Sequence, residues 1–241
     1  MSNIETTPAQ ISDVTLTAPI HDALAEKDLL PNQHIVDAGY REATLLVTSQ
    51  TDHQVQLRGP VGPDSRWQAQ ANKGYDISCF TIDWEAQKVT CPQGQTSRQW
   101  IAAQDGWNTA TIHVQFARSI CLRCASRADC TRATRDPREL TLRPRAEHEA
   151  LQAARRQQQS PEWKAAYNVR AGVEGTLSQG DGAFELRQSR SIGLARTHLQ
   201  HILTAAAMTI ARFDAWVTDR PRAKTRISHC EALRPKVAVA A

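Results

Sequence analysis

Residues 34–57, HIVDAGYREATLLVTSQTDHQVQL, decide the fold class of this 241-residue chain. The apolar run at 34–36 predicts a buried strand, the stretch from Arg41 to about Gln50 predicts a helix, and Val55–Leu57 predicts a second strand. Two strands joined through a helix need a crossover connection, so they pair in parallel with right-handed topology. The sequence therefore predicts an α/β fold, and such folds place their working groups at the carboxyl ends of strands.

Asp37 follows the first predicted strand directly and stands two residues before Gly39. An acid at this point has two interpretations. Its carboxylate can cap the following helix by accepting a backbone N–H bond. Alternatively, it can bind Mg²⁺ at the strand end, because that ion prefers carboxylate oxygens as ligands.

The composition excludes several classes of protein. With 41% hydrophobic and 22% charged residues, the chain has the character of a soluble globular protein that can bury a core. No stretch approaches the roughly 18 apolar residues that a membrane span requires. The N-terminus has neither the basic lead nor the apolar run of a secretory signal. We therefore expect a cytoplasmic protein without a membrane anchor, whose clustered cysteines serve as metal ligands.

Changes in composition divide the chain into four segments. Residues 1–60 alternate helix and strand, and residues 61–145 carry short β-type runs between prolines, glycines and cysteines. Residues 146–220 are mainly helical, and residues 221–241 form a basic tail that we expect to be loosely ordered. The last long helix is predicted from about Leu194 to Val217. Its apolar residues have the three-and-four spacing that predicts a buried face: Leu199, Ile202, Leu203, Ala206, Ile210, Phe213 and Val217.

Positive charge is concentrated in the middle of the chain. The whole chain carries a net charge of +4, whereas residues 115–145 hold eight arginines against three acidic residues, a local charge of +5. Such an excess attracts phosphate groups, although an ordinary solvated surface has the same appearance.

Four cysteines of this middle segment are spaced as metal ligands: Cys91, Cys121, Cys124 and Cys130. The C-x2-C pair lets two thiolates reach one ion, and the other two cysteines complete a tetrahedral zinc site. The alternative is four reduced cysteines that pack as small apolar residues. Zinc is favoured because a β-rich segment with few large apolar residues needs an additional cross-link. Cys79 and Cys230 are interpreted as ordinary thiols.

A second group of polar residues is predicted on one helix. Tyr167, Arg170 and Glu174 share a face, because they are three and four residues apart. A lone helical acid is most often a solvated surface residue. However, Gly172 and Gly175 bracket Glu174, and glycine is costly inside a helix unless another group approaches the backbone closely. Arg170 can orient the carboxylate or bind a phosphate.

Several separate motifs occur in one order along the chain: Val36–Tyr40, the Phe-x-Ile-Asp-Trp and Cys-Pro-Gln-Gly stretch from Phe80 to Gly94, the C-x2-C pair, Arg170–Gln179 and Gly193–His201. Together they resemble bacterial insertion-sequence transposases of the DDE type, in the group whose last acid lies in a Y-x2-R-x3-E signature. The resemblance covers nearly the whole chain and implies a partial ribonuclease H-like core with a cysteine-containing insertion. Residues 1–60 are then the last strands and helices of the first half of the core, 61–145 the insertion, and 146–220 the helical return that carries the final acid.

The resemblance also implies a site. Asp37 matches the second catalytic acid and Glu174 the third, both as Mg²⁺ or Mn²⁺ ligands, while Tyr167 and Arg170 match residues near the cleaved DNA end. The implied reaction is hydrolysis at the transposon end followed by attack of the freed 3′-hydroxyl on target DNA, assisted by two metal ions. DNA is therefore the implied partner, together with a further copy of the chain or a full-length transposase.

The sequence departs from the family pattern in two places. Position 181 is Asp where the family usually has lysine, and no residue before Asp37 matches the first catalytic aspartate. We therefore expect an N-terminally truncated copy that is inactive alone. The alternative is a non-catalytic regulatory fragment that binds DNA or transposase, and a further one is a decayed gene fragment without a stable fold.

Overall fold

The computed structural model describes residues 1–40, 42–71 and 73–220, and shows a mixed α/β chain. Its strands are β1 (Gln33–Ile35), β2 (Gln56–Arg58), β3 (Thr81–Asp83), β4 (Lys88–Thr90), β5 (Gln99–Gln104), β6 (Ala110–Gln115) and β7 (Glu139–Leu142). Its α-helices are α1 (Thr17–Ala25), α2 (Ala43–His53), α3 (Trp67–Ala71), α4 (Arg118–Leu122), α5 (Arg127–Cys130), α6 (Arg145–Gln157), α7 (Pro161–Tyr167), α8 (Ala171–Phe184) and α9 (Leu194–Val217). Short 3-10 turns cover Asp13–Leu16, Ala38–Tyr40, Ile77–Cys79 and Asn168–Arg170.

The chain divides into two compact units. One consists of Ala9–Gly175 together with Ser2, and the described part of the other consists of Met1, Asn3–Pro8 and residues 176–220. The predicted basic tail at 221–241, with Cys230, lies outside the described residues.

The strand–helix–strand prediction is confirmed. β1 and β2 pair in parallel, with His34 opposite Leu57, and α2 connects them. The apolar side chains that predicted the strands form a small core of Val36, Val55 and Leu57. β1 ends at Ile35, and Asp37 follows it after Val36, whose N–H bonds to the Arg58 carbonyl at 3.0 Å.

The middle of the larger unit is antiparallel. β3 and β4 form a hairpin, and β5, β6 and β7 form a three-stranded sheet in that order. These strands surround a second core made of Ile77, Phe80, Val89, Val114, Phe116, Leu140 and Leu142. The apolar runs at 79–82, 89–90 and 111–116 predict β3, β4 and β6, whereas no such run predicts β5 or β7. β7 is a four-residue strand with alternating burial, and a pattern this short is weak before its partner strand is known.

Local signals locate the later helices well. α6 begins at Arg145, and α7 begins at Pro161 after Ser160, whose Oγ accepts the Trp163 N–H at 3.1 Å. Proline at the first position and serine at the cap are the expected helix-start signals.

The predicted buried face of α9 is wrong, although the helix has the predicted bounds. Leu203 and Phe213 are both 61% exposed, whereas Ala205 and Met208 are the buried residues. Met208 packs beside Gly180 of α8, where a Cβ would be 3.2 Å from the methionine sulfur. Periodicity shows which residues share a face, but the neighbouring helix decides which face is covered.

Within the described ranges, no helix is both long and apolar enough to cross a membrane.

Candidate functional site

Asp37 is an exposed residue at the end of β1. Its Oδ1 accepts the Gly39 N–H at 2.7 Å, which stabilises the 3-10 turn Ala38–Tyr40. A Cβ at Gly39 would lie 2.9 Å from that oxygen, so glycine leaves room for this bond. The N-cap of α2 is Glu42, so Asp37 caps the turn and not the helix. Among the described residues, the second carboxylate oxygen, Oδ2, has no hydrogen-bond partner.

Tyr40 connects Asp37 to another acid. Burial raises the pKa of the Tyr40 hydroxyl, and the charges of Asp13 and Asp37 raise it further. A neutral hydroxyl and two carboxylates therefore lie within electrostatic range of each other. The sequence does not predict this relation, because Asp13 lies 24 residues before Asp37 in a turn without a recognisable motif.

Glu174 lies in the first turn of α8, with its side chain 65% exposed. Its Oε1 accepts a hydrogen bond from Arg170 Nη1 at 2.9 Å, in the predicted i to i+4 relation. The Tyr167 ring stacks on Trp163, with a centroid distance of 4.9 Å and an interplanar angle of 14°. Gly172 and Gly175 have no described atom within 4 Å of a built Cβ, so no close approach within the described chain explains them.

The structure pairs Arg170 with Glu174, but it does not join Glu174 to Asp37. Among the described residues, Oδ1 of Asp37 accepts the Gly39 N–H, and Oε1 of Glu174 accepts from Arg170. Across residues 1–40, 42–71 and 73–220, no group of three or more His, Cys, Asp or Glu side chains is arranged to hold a metal ion. Each acid is therefore available as a hard oxygen donor, without a preformed metal site around it.

The four cysteines named above line a common cavity of about 40 Å³. Cys91 follows β4, Cys121 lies in α4, Cys124 follows that helix, and Cys130 ends α5. Burial raises the pKa of the Cys130 thiol to about 11, and the charges of the other three cysteines act in the same direction. Residues from three separate parts of the chain thus converge, whereas Cys79 is exposed and does not line the cavity.

Two arginines also line this cavity. Arg138 is only 9% exposed, and its Nε and Nη2 are buried without a hydrogen-bond partner among the described residues. Arg127 donates from Nη2 to the carbonyls of Ala133 and Asp136 at 2.7 and 2.9 Å. Its Nη1 is buried and has no partner in the described part of the chain. In the sequence the eight arginines form one charged stretch, and no pattern in it separates the two that line this cavity.

Three histidines that the sequence does not predict as neighbours form a cluster in the structure. His21 is fully buried, and its Nε2 is 3.0 Å from Nδ1 of His34, so one of these nitrogens donates to the other. The ring of His53 lies 5.2 Å from that of His21. Burial, with the charges of His34 and His53, lowers the pKa of His21 to about 4.

The chain was compared with known families, curated proteins and solved structures. A family model described as the transposase DDE domain matches residues 90–213, just over half of the chain. The match includes the four cysteines, Tyr167, Arg170 and Glu174, and does not reach Asp37. Neither a curated protein nor a solved structure matches the chain. The matched length and the signature within it show that the chain belongs to the DDE transposase family.

Proposed function

We propose that the chain is a transposase component that binds transposon-end and target DNA and takes part in strand cleavage and transfer. The observation that carries this proposal is the family match over residues 90–213, which contains the Arg170–Glu174 pair. DDE transposase domains generally use divalent metal ions such as Mg²⁺. The family also supports a ribonuclease H-like core, to which the parallel pair of β1 and β2 would belong.

Asp37 and Glu174 are the proposed ligands for Mg²⁺ or Mn²⁺. Their carboxylate oxygens fit these ions chemically, because hard cations prefer such donors. Asp37 offers Oδ2, since Oδ1 is bonded to Gly39, and Arg170 holds the carboxylate of Glu174 in one orientation. When bound, two such ions activate the attacking oxygen and neutralise charge at the phosphorus.

Arg170 and Tyr167 are the proposed DNA contacts. Glu174 occupies Nη1 of Arg170, and a guanidinium has five N–H donors, so others remain for a phosphate oxygen. The Tyr167 ring stacks on Trp163, which restricts the orientation of the ring. Because DNA is the proposed partner, we also propose a cytoplasmic location and assembly with a second copy or a full-length transposase.

The 241 residues supply two of the three acids that the family resemblance assigns, so we propose that the purified chain does not cleave DNA alone. Mg²⁺- or Mn²⁺-dependent nicking of a terminal-repeat duplex measures this directly. We expect no nicking above that of an Asp37→Asn/Glu174→Gln double variant. Robust cleavage that Asp37→Ala abolishes would overturn the proposed inactivity.

Binding of metal at the two acids needs its own measurement. Fe²⁺ that replaces Mg²⁺ generates hydroxyl radicals with ascorbate and peroxide, and these cut the backbone beside the ion. We expect cuts near residues 37 and 174 that Asp37→Asn removes. The matched control is Asp83→Asn, since Asp83 is an exposed strand-end acid outside the proposed site. Cuts that Asp37→Asn leaves unchanged contradict the assignment.

A structural Zn²⁺ at Cys91, Cys121, Cys124 and Cys130 completes the proposed metal content of the chain. The support for it is their convergence on one cavity of about 40 Å³.

A regulatory fragment that binds DNA or transposase without cleaving is the second candidate function. It is favoured by three exposed arginines, Arg118, Arg123 and Arg135, which pair with no acid among the described residues. This function predicts that the chain retains DNA in a salt-sensitive way and does not nick it with any metal ion tested.

A further inference from the structure

The cavity that the four cysteines help to line has room for a single ion. A cavity of at least about 10–15 Å³ accepts one water-sized particle, and this one measures about 40 Å³. In a tetrahedral zinc site the zinc–sulfur distance of about 2.3 Å sets the sulfurs roughly 3.8 Å apart. No group of three or more His, Cys, Asp or Glu side chains in the described ranges is arranged to hold an ion, so a zinc ion here would require the four half-buried sulfurs to move together.

Arg138 and Arg127 leave buried N–H donors unused at the wall of the same cavity. Three nitrogens lack partners among the described residues: Nε and Nη2 of Arg138 and Nη1 of Arg127. A buried charge without a hydrogen-bonding counter-charge is strongly unfavourable. Asp64 and Asp76 act on Arg138 only from beyond ion-pair distance, and each bonds elsewhere, to Arg66 and to Ser78.

We infer that Cys91, Cys121, Cys124 and Cys130 bind one Zn²⁺ as a tetrathiolate centre, and that Arg127 and Arg138 donate N–H···S hydrogen bonds to its sulfurs. Four thiolates and one Zn²⁺ carry a charge of −2, which the two guanidinium groups neutralise. Four S–H bonds break when the ion binds, and their protons leave to solvent. The inference deepens the zinc part of the proposed function and is independent of Asp37 and Glu174.

The first test measures metal on the full chain, purified without chelator. We expect one zinc per chain by mass spectrometry, and Co²⁺ in its place gives the thiolate charge-transfer absorption of a tetrahedral site. Cys124→Ser lowers zinc to well below one per chain. Cys79→Ser is the matched control and retains it, because Cys79 is exposed and does not line the cavity. Two results would overturn the proposed zinc site. One is less than one zinc per wild-type chain, and the other is loss of zinc in Cys79→Ser but not in Cys124→Ser.

The second test addresses the arginines. Arg138→Met should weaken zinc binding about 10- to 100-fold in competition with a chromophoric chelator, the usual range for lost partners of metal ligands. Arg138→Lys restores part of the loss because it keeps the charge. Arg118→Met, at an exposed position, is the control and leaves the affinity unchanged. Equal zinc affinity for Arg138→Met and the wild type contradicts the charge-balancing role.

Neither measurement needs DNA or Mg²⁺, so its outcome is separate from that of the transposase proposal. If Cys124→Ser fails to fold, the arginine series and the wild-type metal content still decide the inference.

Discussion

Arg170 and Glu174 form an ion pair on an exposed helix surface, with side chains 33% and 65% exposed. Water screens such pairs, so an i to i+4 pair contributes only about 0.3–0.5 kcal/mol to stability. The hydrogen bond of 2.9 Å points the carboxylate toward Arg170 in the structure. At the residue scale this pair therefore contributes little to stability, and the lowered pKa of the buried His21 is the larger energetic effect.

Gly74 illustrates a steric requirement beside the cysteines. Its φ is +79°, and a Cβ would lie 2.3 Å from the carbonyl oxygen of Asp129, which accepts the Tyr75 N–H. We predict that Gly74→Ala lowers the free energy of unfolding by about 2–3 kcal/mol, combining backbone strain with a disturbed hydrogen bond. Urea denaturation measures this. The control Gly94→Ala has φ +74° but no described atom within 4 Å, and should cost only about 1–2 kcal/mol. Equal losses of unfolding free energy in the two variants would contradict the predicted clash at Gly74.

His21 predicts a dependence of stability on pH. Its pKa is lowered to about 4 in the folded chain and is 6.5 in the unfolded chain. Between these values the unfolded state binds more protons, so stability is complete above pH 6.5 and falls as the pH drops toward 4. The loss is at most about 3 kcal/mol. The groups that face His21 are His34, His53 and Asp22.

Guanidinium denaturation between pH 7.5 and 4.5 tests this dependence. His21→Leu should flatten the pH profile, whereas His113→Gln, at an exposed strand position, should leave it unchanged. If the stability of His21→Leu depended on pH as steeply as that of the wild type, a group other than His21 would be responsible.

At the element scale, α9 shows that helix formation and helix packing have different determinants. Its 24 residues form a helix over the predicted bounds, but the large apolar side chains point outward. α8 presents Gly180 to this helix, and a small residue allows close approach of a small or flexible side chain such as Met208. The covered face is therefore set by the shape of α8.

Met208→Ala should lower the free energy of unfolding by about 2–4 kcal/mol, since it removes a fully buried side chain. Phe213→Ala should cost less than about 1 kcal/mol, because that ring is 61% exposed. Denaturant unfolding followed by circular dichroism compares the two variants. A larger loss of unfolding free energy for Phe213→Ala would show that the predicted apolar face of α9 is the packed one.

At the scale of the whole molecule, charge is distributed unevenly. The net charge is +4, and the arginines of residues 115–145 have different environments. Arg127 and Arg138 line the cysteine cavity, Arg143 has a buried Nη1, and the other five are exposed. Only the surface arginines are available to the phosphates of DNA. The affinity for DNA should therefore depend on the exposed arginines of this segment and not on all eight.

Retention of a DNA duplex should fall as salt rises, with a log–log slope of about −0.9 for each neutralised phosphate. The triple variant Arg118→Gln/Arg123→Gln/Arg135→Gln should reduce the steepness of that slope by up to about 3. A triple variant at Arg98, Arg156 and Arg196 removes the same charge from exposed positions elsewhere and serves as control. Identical slopes for the two triple variants would mean that binding follows net charge alone.

The sequence by itself determined the α/β class, the parallel pair around α2, the starts of α6 and α7, and membership of the DDE family. These properties depend on local patterns: apolar periodicity, cap residues, and motifs in a fixed order. Only the tertiary structure decided that Arg127 and Arg138 turn toward the cysteines, that His21 is buried against His34, and which face of α9 is covered. Such contacts join residues that are distant in sequence, and their geometry follows from the packing free energy of the whole unit, which no local pattern encodes.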